Sequence, residues 1–271
     1  MAGPCAVDIL ATLAAAGPAA SWPQQLVEAC REATDMTGVG LALVDTAGIA
    51  AVVAATAGAA QRMEDLQFEL GEGPCVEASR SGLPVLCSDL AADGGGRWPA
   101  FSPGAEAAGV AAAFTFPLRV GAISIGVLDL YRGTSGPLSG TAPQLAVAFA
   151  DAAVAVLLHL QQHDRRTGGH ENPAGNGAAH RPEEPEGPAL LDLLARRAVV
   201  HQSVGMISVQ LGVPLQDALL RLRAHAWSRK RPITDVAADV VARRLRFDHS
   251  EDGATVSSGR EPDGGPGRTL P

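Results

Sequence analysis

Histidine is absent from the first 158 residues, although the chain of 271 residues contains seven. This absence removes the imidazole that haem and zinc sites use as a ligand, and it removes a histidine general base. The sequence therefore predicts no metal, no cofactor and no enzyme activity in this part. Lysine is also scarce, since Lys230 is the only one. P-loops and phosphorelay receiver domains both use a lysine, so neither is expected before it.

Cysteines and long apolar runs are limited as well. The four cysteines show none of the CxxC spacings of metal or redox sites; they are Cys5, Cys30, Cys75 and Cys87. The longest apolar runs, near 48–60 and 145–160, fall short of the roughly 18 uninterrupted residues of a membrane span. No basic residue precedes Arg31, so the charged start of a signal peptide is missing. We expect a cytoplasmic protein with no membrane partner.

Charge is distributed unevenly along the chain, whose net charge is −8. Residues 1–166 hold 8 basic and 16 acidic groups, whereas residues 189–247 hold 10 basic and 4 acidic groups. The segments 167–188 and 248–271 are acidic. One short segment is therefore basic within an acidic protein, which predicts an anionic partner for that segment alone.

Composition also marks the domain boundaries. Residues 167–188 are rich in Gly, Pro, Asn and Glu and too polar to bury a core, so they are predicted to be a flexible linker. The tail at 248–271 has the same character and is predicted to be disordered. Before the linker, helices alternate with five predicted strands, at 39–45, 49–56, 84–90, 111–120 and 123–132. This pattern predicts an α+β domain with an antiparallel sheet at 20–166, after an N-terminal segment at 1–19.

The motifs of residues 20–166 resemble the GAF family of small-molecule-sensing domains. They are "ELGEGPCVEASRSGLPVLCSDL", the "RWP" loop and the hairpin "FTFPLRVGAISIGVLDLYR". The resemblance implies an antiparallel sheet flanked by helices, with a ligand cavity on one face for a small-molecule or redox signal. Cys75 follows a Gly-Pro turn near a helix start, which makes it the candidate redox-sensing thiol. Its alternative role is that of a small apolar residue closing the turn.

A homodimer is also expected from the long helix predicted at 141–162. Its apolar residues recur every three or four positions and exceed what one sheet face needs. They are Leu145, Phe149, Ala152, Val156 and Leu160.

After the linker the sequence predicts three helices and no strand, at about 189–211, 214–228 and 233–246. The stretch "RAVVHQSVGMISVQLGVPLQDALLRLRAHAWSRKRPITDVAADVV" resembles the ANTAR domain of bacterial antitermination regulators. The resemblance implies a three-helix bundle at 189–247 that binds RNA hairpins in nascent transcripts. Leu219 departs from the family, which commonly has an aromatic residue there, and Val204 stands where a lysine is common.

Two sets of residues carry the roles expected of this bundle. Small residues are predicted to let the helices approach closely; they are Ser203, Gly205, Ala218, Ala226 and Ala237. For Gly205 the alternative is close approach of its backbone to RNA. Basic and amide side chains are predicted to contact RNA; they are Arg196, Arg197, Gln202, Arg221, Arg223, Arg229, Lys230 and Arg231.

Together these features predict a signal-responsive antitermination regulator, in which a GAF sensor controls RNA binding. Three short helices with a basic face also suit a helix-turn-helix, so a DNA-binding regulator is the alternative. A third hypothesis is an enzyme such as a sulfoxide reductase that uses Cys75 or Cys87. The absence of histidine from the first 158 residues, and so from the predicted ligand pocket, argues against it.

Overall fold

The computed structural model describes residues 3–45, 48–167, 190–248 and 255–256; side chains at 45, 48, 163–167, 190–197 and 255–256 lie outside this description. The chain divides into two compact units, Met1–Arg197 and Ala198–Pro271. The predicted linker lies almost wholly outside the described residues, as does most of the predicted disordered tail.

The first unit combines helices with one sheet. Its helices are α1 (Ala6–Ala16), α2 (Trp22–Thr34), α3 (Ala59–Leu70), α4 (Pro74–Ser81), the single turn α5 (Gly95–Arg97), α6 (Phe101–Ala107) and α7 (Ala142–Thr167). Its strands are β1 (Gly38–Asp45), β2 (Gly48–Ala55), β3 (Val85–Cys87), β4 (Ala112–Val120) and β5 (Ile123–Arg132). Short 3₁₀ and π-helical turns lie at Ala19–Ser21 and Leu90–Gly94.

The five strands form an antiparallel sheet in the order β2-β1-β5-β4-β3, which confirms the predicted architecture. The predicted hairpin between β4 and β5 has a two-residue loop, because Val120 pairs with Ile123. Gly121 has a φ of 61° in that loop, a value that glycine adopts without steric cost.

The sequence reasoning missed α1 and α3. In α3 the positions that face the interior include Glu64 and Gln67, both fully buried. Polar residues at core positions weaken the apolar periodicity by which a helix is recognised. The omission of α3 therefore has a physical cause, and the same two polar residues belong to a buried polar network.

The two faces of the sheet differ in chemistry. One face packs on α2 and α7 through an apolar core that includes Phe114, Phe116, Leu128 and Leu130, and α1 packs on these two helices. Side chains alternate along a strand, so the residues between these ones point to the opposite face. That opposite face is covered by α3 and α4, with α6 packed beside α3.

Helix α7 corrects two expectations. Its predicted dimer stripe is used inside the same chain, because Leu145, Phe149, Ala152 and Val156 are buried in the core and Leu160 packs against it. The apolar stripe is thus not left over for a second copy. Among the described residues, the stretch Ala142–Gln162 is also long and apolar enough to cross a membrane, contrary to expectation. Its buried side chains make it a core helix of this unit.

The second unit contains the C-terminal part of α8 (Leu190–Leu211), followed by α9 (Leu215–Ser228) and α10 (Ile233–Val241). The segments Ala198–Leu211 and Leu215–Ser228 meet at an angle of 106°. The core is built from side chains of all three helices; among them are Val200, Ile207, Leu211, Leu222, Ile233, Val236 and Val240.

The end of this unit corrects the predicted third helix and the predicted absence of strands. Helix α10 ends at Val241, and Leu245–Arg246 forms strand β6, paired with β7 (Thr255–Val256) inside the predicted disordered tail. The helix stops because Arg243 has a φ of 59°, and the amides of Arg243 and Arg244 donate back to Val240 and Asp239. That arrangement is a Schellman motif, which closes a helix and turns the chain away.

Candidate functional site

The covered face of the sheet carries polar side chains in its interior. Thr115 on β4 and Asp129 on β5 are directly paired across the strands, and Tyr131 lies two residues further along β5. All three are fully buried. The Thr115 hydroxyl donates to Asp129 Oδ1. Strand spacing therefore places a carboxyl, a hydroxyl and a phenol side by side beneath the covering helices.

Helices α3 and α4 complete this buried network. Gln67 Nε2 donates to Tyr131 Oη at 2.8 Å, and Tyr131 Oη donates to Glu64 Oε1 at 3.0 Å. Gln67 Oε1 accepts the backbone amide of Cys75 at 2.8 Å, which ties the start of α4 to α3. Glu64 and Gln67 are three residues apart, so both face the sheet from one side of α3.

Two glycines make room for these side chains. A Cβ added at Gly40 would overlap the Glu64 carboxyl, and one at Gly73 would lie 2.6 Å from Gln67 Oε1. Gly73 also has a φ of 133°, which favours glycine. The side chains of Glu64 and Gln67 thus occupy space that a side chain at Gly40 or Gly73 would fill.

Burial shifts the titration of this network. Removal from water raises the pKa of Asp129 to about 7, although hydrogen bonds from Thr115, Cys75 and Glu64 act in the opposite direction. Burial also raises the pKa of Tyr131 well above its usual value, and the neighbouring Asp129 and Glu64 add to this effect. Tyr131 is therefore a neutral donor, and Asp129 can hold a proton near neutral pH.

A cleft of about 460 Å³ opens beside the network and is lined by Gly73 and Val76, the neighbours of Pro74 and Cys75. Glu77 in this cleft pairs with Arg97 and accepts the indole N–H of Trp98 at 3.1 Å. The Arg97 guanidinium lies 4.4 Å from the centre of the Trp98 ring. The cleft therefore offers both charge signs to a small molecule, whereas the Trp98 ring is buried beside Arg97.

Cys75 lies inside the network and not at the surface. It is fully buried at the start of α4. Cys87, at the end of β3, is buried as well. Redox-sensing thiols are typically solvent-accessible, so this position gives no support to the redox hypothesis. Five members of the network were missed by sequence reasoning: Glu64, Gln67, Thr115, Asp129 and Tyr131. The sequence signal that could have revealed the network is Asp129, an acidic residue inside the apolar strand "GVLDLY".

In the second unit, the predicted RNA-contacting residues lie on two helices and one turn. Gln202 is exposed on α8, and Arg221 is exposed on α9, where Arg223 is half-buried. Arg229, Lys230 and Arg231 are exposed in the turn after α9. The side chains of Arg196 and Arg197 lie outside the described residues.

The turn after α9 is ordered by its own hydrogen bonds. The amides of Lys230 and Arg231 donate to the carbonyls of Trp227 and Ala226, and Lys230 has a φ of 51°. This is a second Schellman motif, with lysine at the position where glycine is usual. Arg231 differs from its two neighbours, because its guanidinium donates to Asp239 Oδ2 at 2.8 Å.

Asp239 on α10 holds two arginines. Its other oxygen, Oδ1, accepts from Arg244 Nη2 at 2.7 Å, and these bonds from Arg231 and Arg244 lower the pKa of Asp239. The ion pairs hold the basic turn against the end of α10. Arg229 and Lys230 are exposed on this turn, which the ion pairs of Asp239 connect to α10.

The small residues of the bundle divide into two groups. Ser203, Ala218, Ala226 and Ala237 are buried, and the Ser203 hydroxyl donates to the Val200 carbonyl at 2.8 Å. Gly205 corrects the prediction of close packing, because a Cβ added there would meet, apart from the backbone of its own helix, no atom of the described residues within 4 Å. It lies in an open groove with Gln202, Met206, Val209 and Gln210.

Comparisons with known proteins identify the first unit. The GAF domain family matches residues 23–157, and no curated protein sequence matches the chain. Similar solved structures include the GAF domain of an Acinetobacter phosphoenolpyruvate-protein phosphotransferase, with 12% identity over 58% of this chain and 92% of that chain, TM-score 0.44. A free methionine-R-sulfoxide reductase from Neisseria meningitidis, in complex with its substrate, has 18% identity over 59% and 89%, TM-score 0.44. The GAF domain of the Coxiella burnetii phosphotransferase has 15% identity over 60% and 96%, TM-score 0.43.

The family match lies wholly within the first unit. Residues 23–157 are a GAF domain, and this membership supports a role in signal sensing.

Proposed function

We propose that this chain is a cytoplasmic, signal-responsive regulator that binds hairpin RNA in nascent transcripts and prevents termination. The observation that carries the proposal is the exposed basic surface of the second unit. Arg221, Arg229 and Lys230 are exposed there, on a compact helical unit within an otherwise acidic chain. Such a surface suits a phosphate backbone. The resemblance of the same helices to the ANTAR domain favours RNA as the source of that backbone.

The GAF domain would supply the control. We propose that a small molecule acts on the buried network of Glu64, Gln67, Asp129 and Tyr131, reached from the cleft beside α4. Polar groups removed from water are costly unless they are paired, so a ligand that replaces their hydrogen bonds can shift the packing of α3 and α4. Burial of the Cys75 and Cys87 thiols supports a sensing role over thiol catalysis.

We also propose a homodimer, because the resemblance to the ANTAR domain implies target hairpins that come in pairs. Because the apolar stripe of α7 is used in the core, the interface has to be sought elsewhere. Sedimentation of the full chain at tens of micromolar tests the dimer independently of RNA binding.

RNA recognition is tested by crosslinking the full chain in its native cell and sequencing the bound RNAs. Hairpins recovered in this way should bind the purified protein more tightly than duplex DNA of the same sequence in a gel shift. The variant Arg229→Ala/Lys230→Ala should weaken binding to all RNAs by a similar factor and flatten the salt dependence by nearly one unit of slope per residue. Equal or tighter binding to duplex DNA would contradict the proposal and favour the DNA-binding alternative.

A further inference from the structure

Helix α9 exposes an apolar stripe on the side that faces away from its bundle. Leu220 is 66% exposed and Trp227 is 62% exposed, and Ala224 between them is also exposed. Their spacing of four and three residues puts them in line on one face of the helix. The opposite face holds the buried residues Ala218, Leu222 and Ala226. An exposed tryptophan in line with other apolar residues marks a surface that a partner covers.

Charges on both sides of this α9 stripe define the partner. Arg221 is exposed on one side, and Arg223 lies half-buried on the other. Arg229 and Lys230 follow Trp227 within three residues and are exposed. The acidic residue of α9 is Asp217, which lies in its first turn, at the far end from Trp227. The partner must therefore combine negative charge with apolar surface. A second copy of the same stripe would bring arginines against arginines.

We propose that the α9 stripe is a stacking platform for unpaired RNA bases, with the ring of Trp227 as its centre. This inference rests on the proposed RNA-binding function and assigns the base-contacting part of it. Unpaired bases in loops expose their faces to aromatic side chains, whereas the bases of a duplex do not. Arg221 and Arg229, on either side of the ring along the helix, contact the phosphates that flank the stacked base. Trp227 thus supplies the aromatic ring that is missing at Leu219.

The experiment is a double-mutant cycle on the full chain. The probe is the tightest-binding hairpin selected from a library with a fixed stem and a randomised loop. Each loop nucleotide is then replaced in turn by an abasic nucleotide, which removes the base and keeps the phosphate. Affinities are measured for wild type, Trp227→Ala and the conservative control Trp227→Phe, after circular dichroism has shown equal helix content.

The expected result is one loop position where removal of the base weakens wild-type binding on the order of 10-fold. Trp227→Ala weakens binding to the intact hairpin by a similar factor, and the abasic change then has no further effect on that variant. Trp227→Phe retains most of the affinity and the sensitivity to the abasic change, because a phenyl ring still stacks.

Three results would overturn the inference. If Trp227→Ala binds like wild type, or if its effect and the abasic effect multiply at every loop position, then Trp227 does not stack on a loop base, although RNA binding itself stands. If Trp227→Ala converts a dimer into a monomer in sedimentation, the α9 stripe joins two copies. If the wild type selects no hairpin at all, the proposed RNA-binding function fails, and the stacking platform fails with it.

Discussion

Replacing Gly205 with alanine should stabilise the second unit. Gly205 lies inside α8, where glycine costs about 1 kcal/mol relative to alanine because the unfolded chain loses more conformational freedom. Among the described residues, a new Cβ would contact nothing within 4 Å apart from the backbone of its own helix, so no clash offsets this gain. The expected increase in the free energy of unfolding is therefore about 1 kcal/mol.

Hydrogen exchange on the full chain measures this change in the second unit alone. Amides of α8 between Ser203 and Leu211 should exchange about fivefold more slowly in Gly205→Ala, since 1.4 kcal/mol corresponds to a factor of about 10. Amides of the GAF domain serve as the internal reference and should not change.

Gly212 at the end of the same helix provides the matched control. A Cβ there would also meet no atom within 4 Å, but its φ is 60°. Gly212→Ala should therefore destabilise the unit by about 1 kcal/mol, because alanine tolerates this conformation poorly. The opposite signs at two equally open positions separate backbone effects from packing effects.

Unchanged or faster exchange in Gly205→Ala would refute the reasoning, since it would mean that the new methyl group clashes with a neighbouring residue. RNA binding by the same variant tests why glycine is there. If the open groove beside Gly205 admits RNA backbone, the more stable variant should bind hairpins less tightly. Wild-type affinity would mean that the groove is not part of the RNA surface.

Lys230→Gly should raise the stability of the second unit by up to about 1 kcal/mol, because glycine adopts the positive φ without strain. The same variant should weaken RNA binding, because a positive charge is lost. Urea unfolding measures the stability and filter binding measures the affinity, and a loss of stability would contradict the first expectation. Since the pKa of Asp129 is raised from 3.8 to about 7 on folding, the folded GAF domain binds this proton more tightly, so its stability should fall as the pH rises from about 4 to 7. Asp129→Asn should flatten that fall in urea unfolding at several pH values, and parallel profiles for both proteins would sink the assignment. Protein purified from its native host should show no Soret band and less than one zinc per chain, whereas stoichiometric haem would contradict the histidine argument.

The sequence determined the main architecture of the GAF domain. Alternating apolar residues and the Gly121 turn predicted the β4–β5 hairpin and the strands beside it, because these signals are local and depend on neighbours in the chain. The basic character of the second unit was likewise visible in the sequence, since net charge requires no structure. The three helices of this unit were predicted by the same local periodicity, although the third ends at Val241 and not at 246.

Tertiary structure decided which polar residues are buried and which apolar residues are not. Glu64 and Asp129 look like ordinary charged residues in the sequence, and they become a site only because α3 packs over β5. The stripe of α7 looked like a dimer interface until α1, α2 and the sheet covered it. Gly205, expected in a helix contact, lies in the open, while Trp227 lies exposed on α9. Burial depends on which distant segments pack together, and local periodicity reports only that a face is apolar, without naming what covers it.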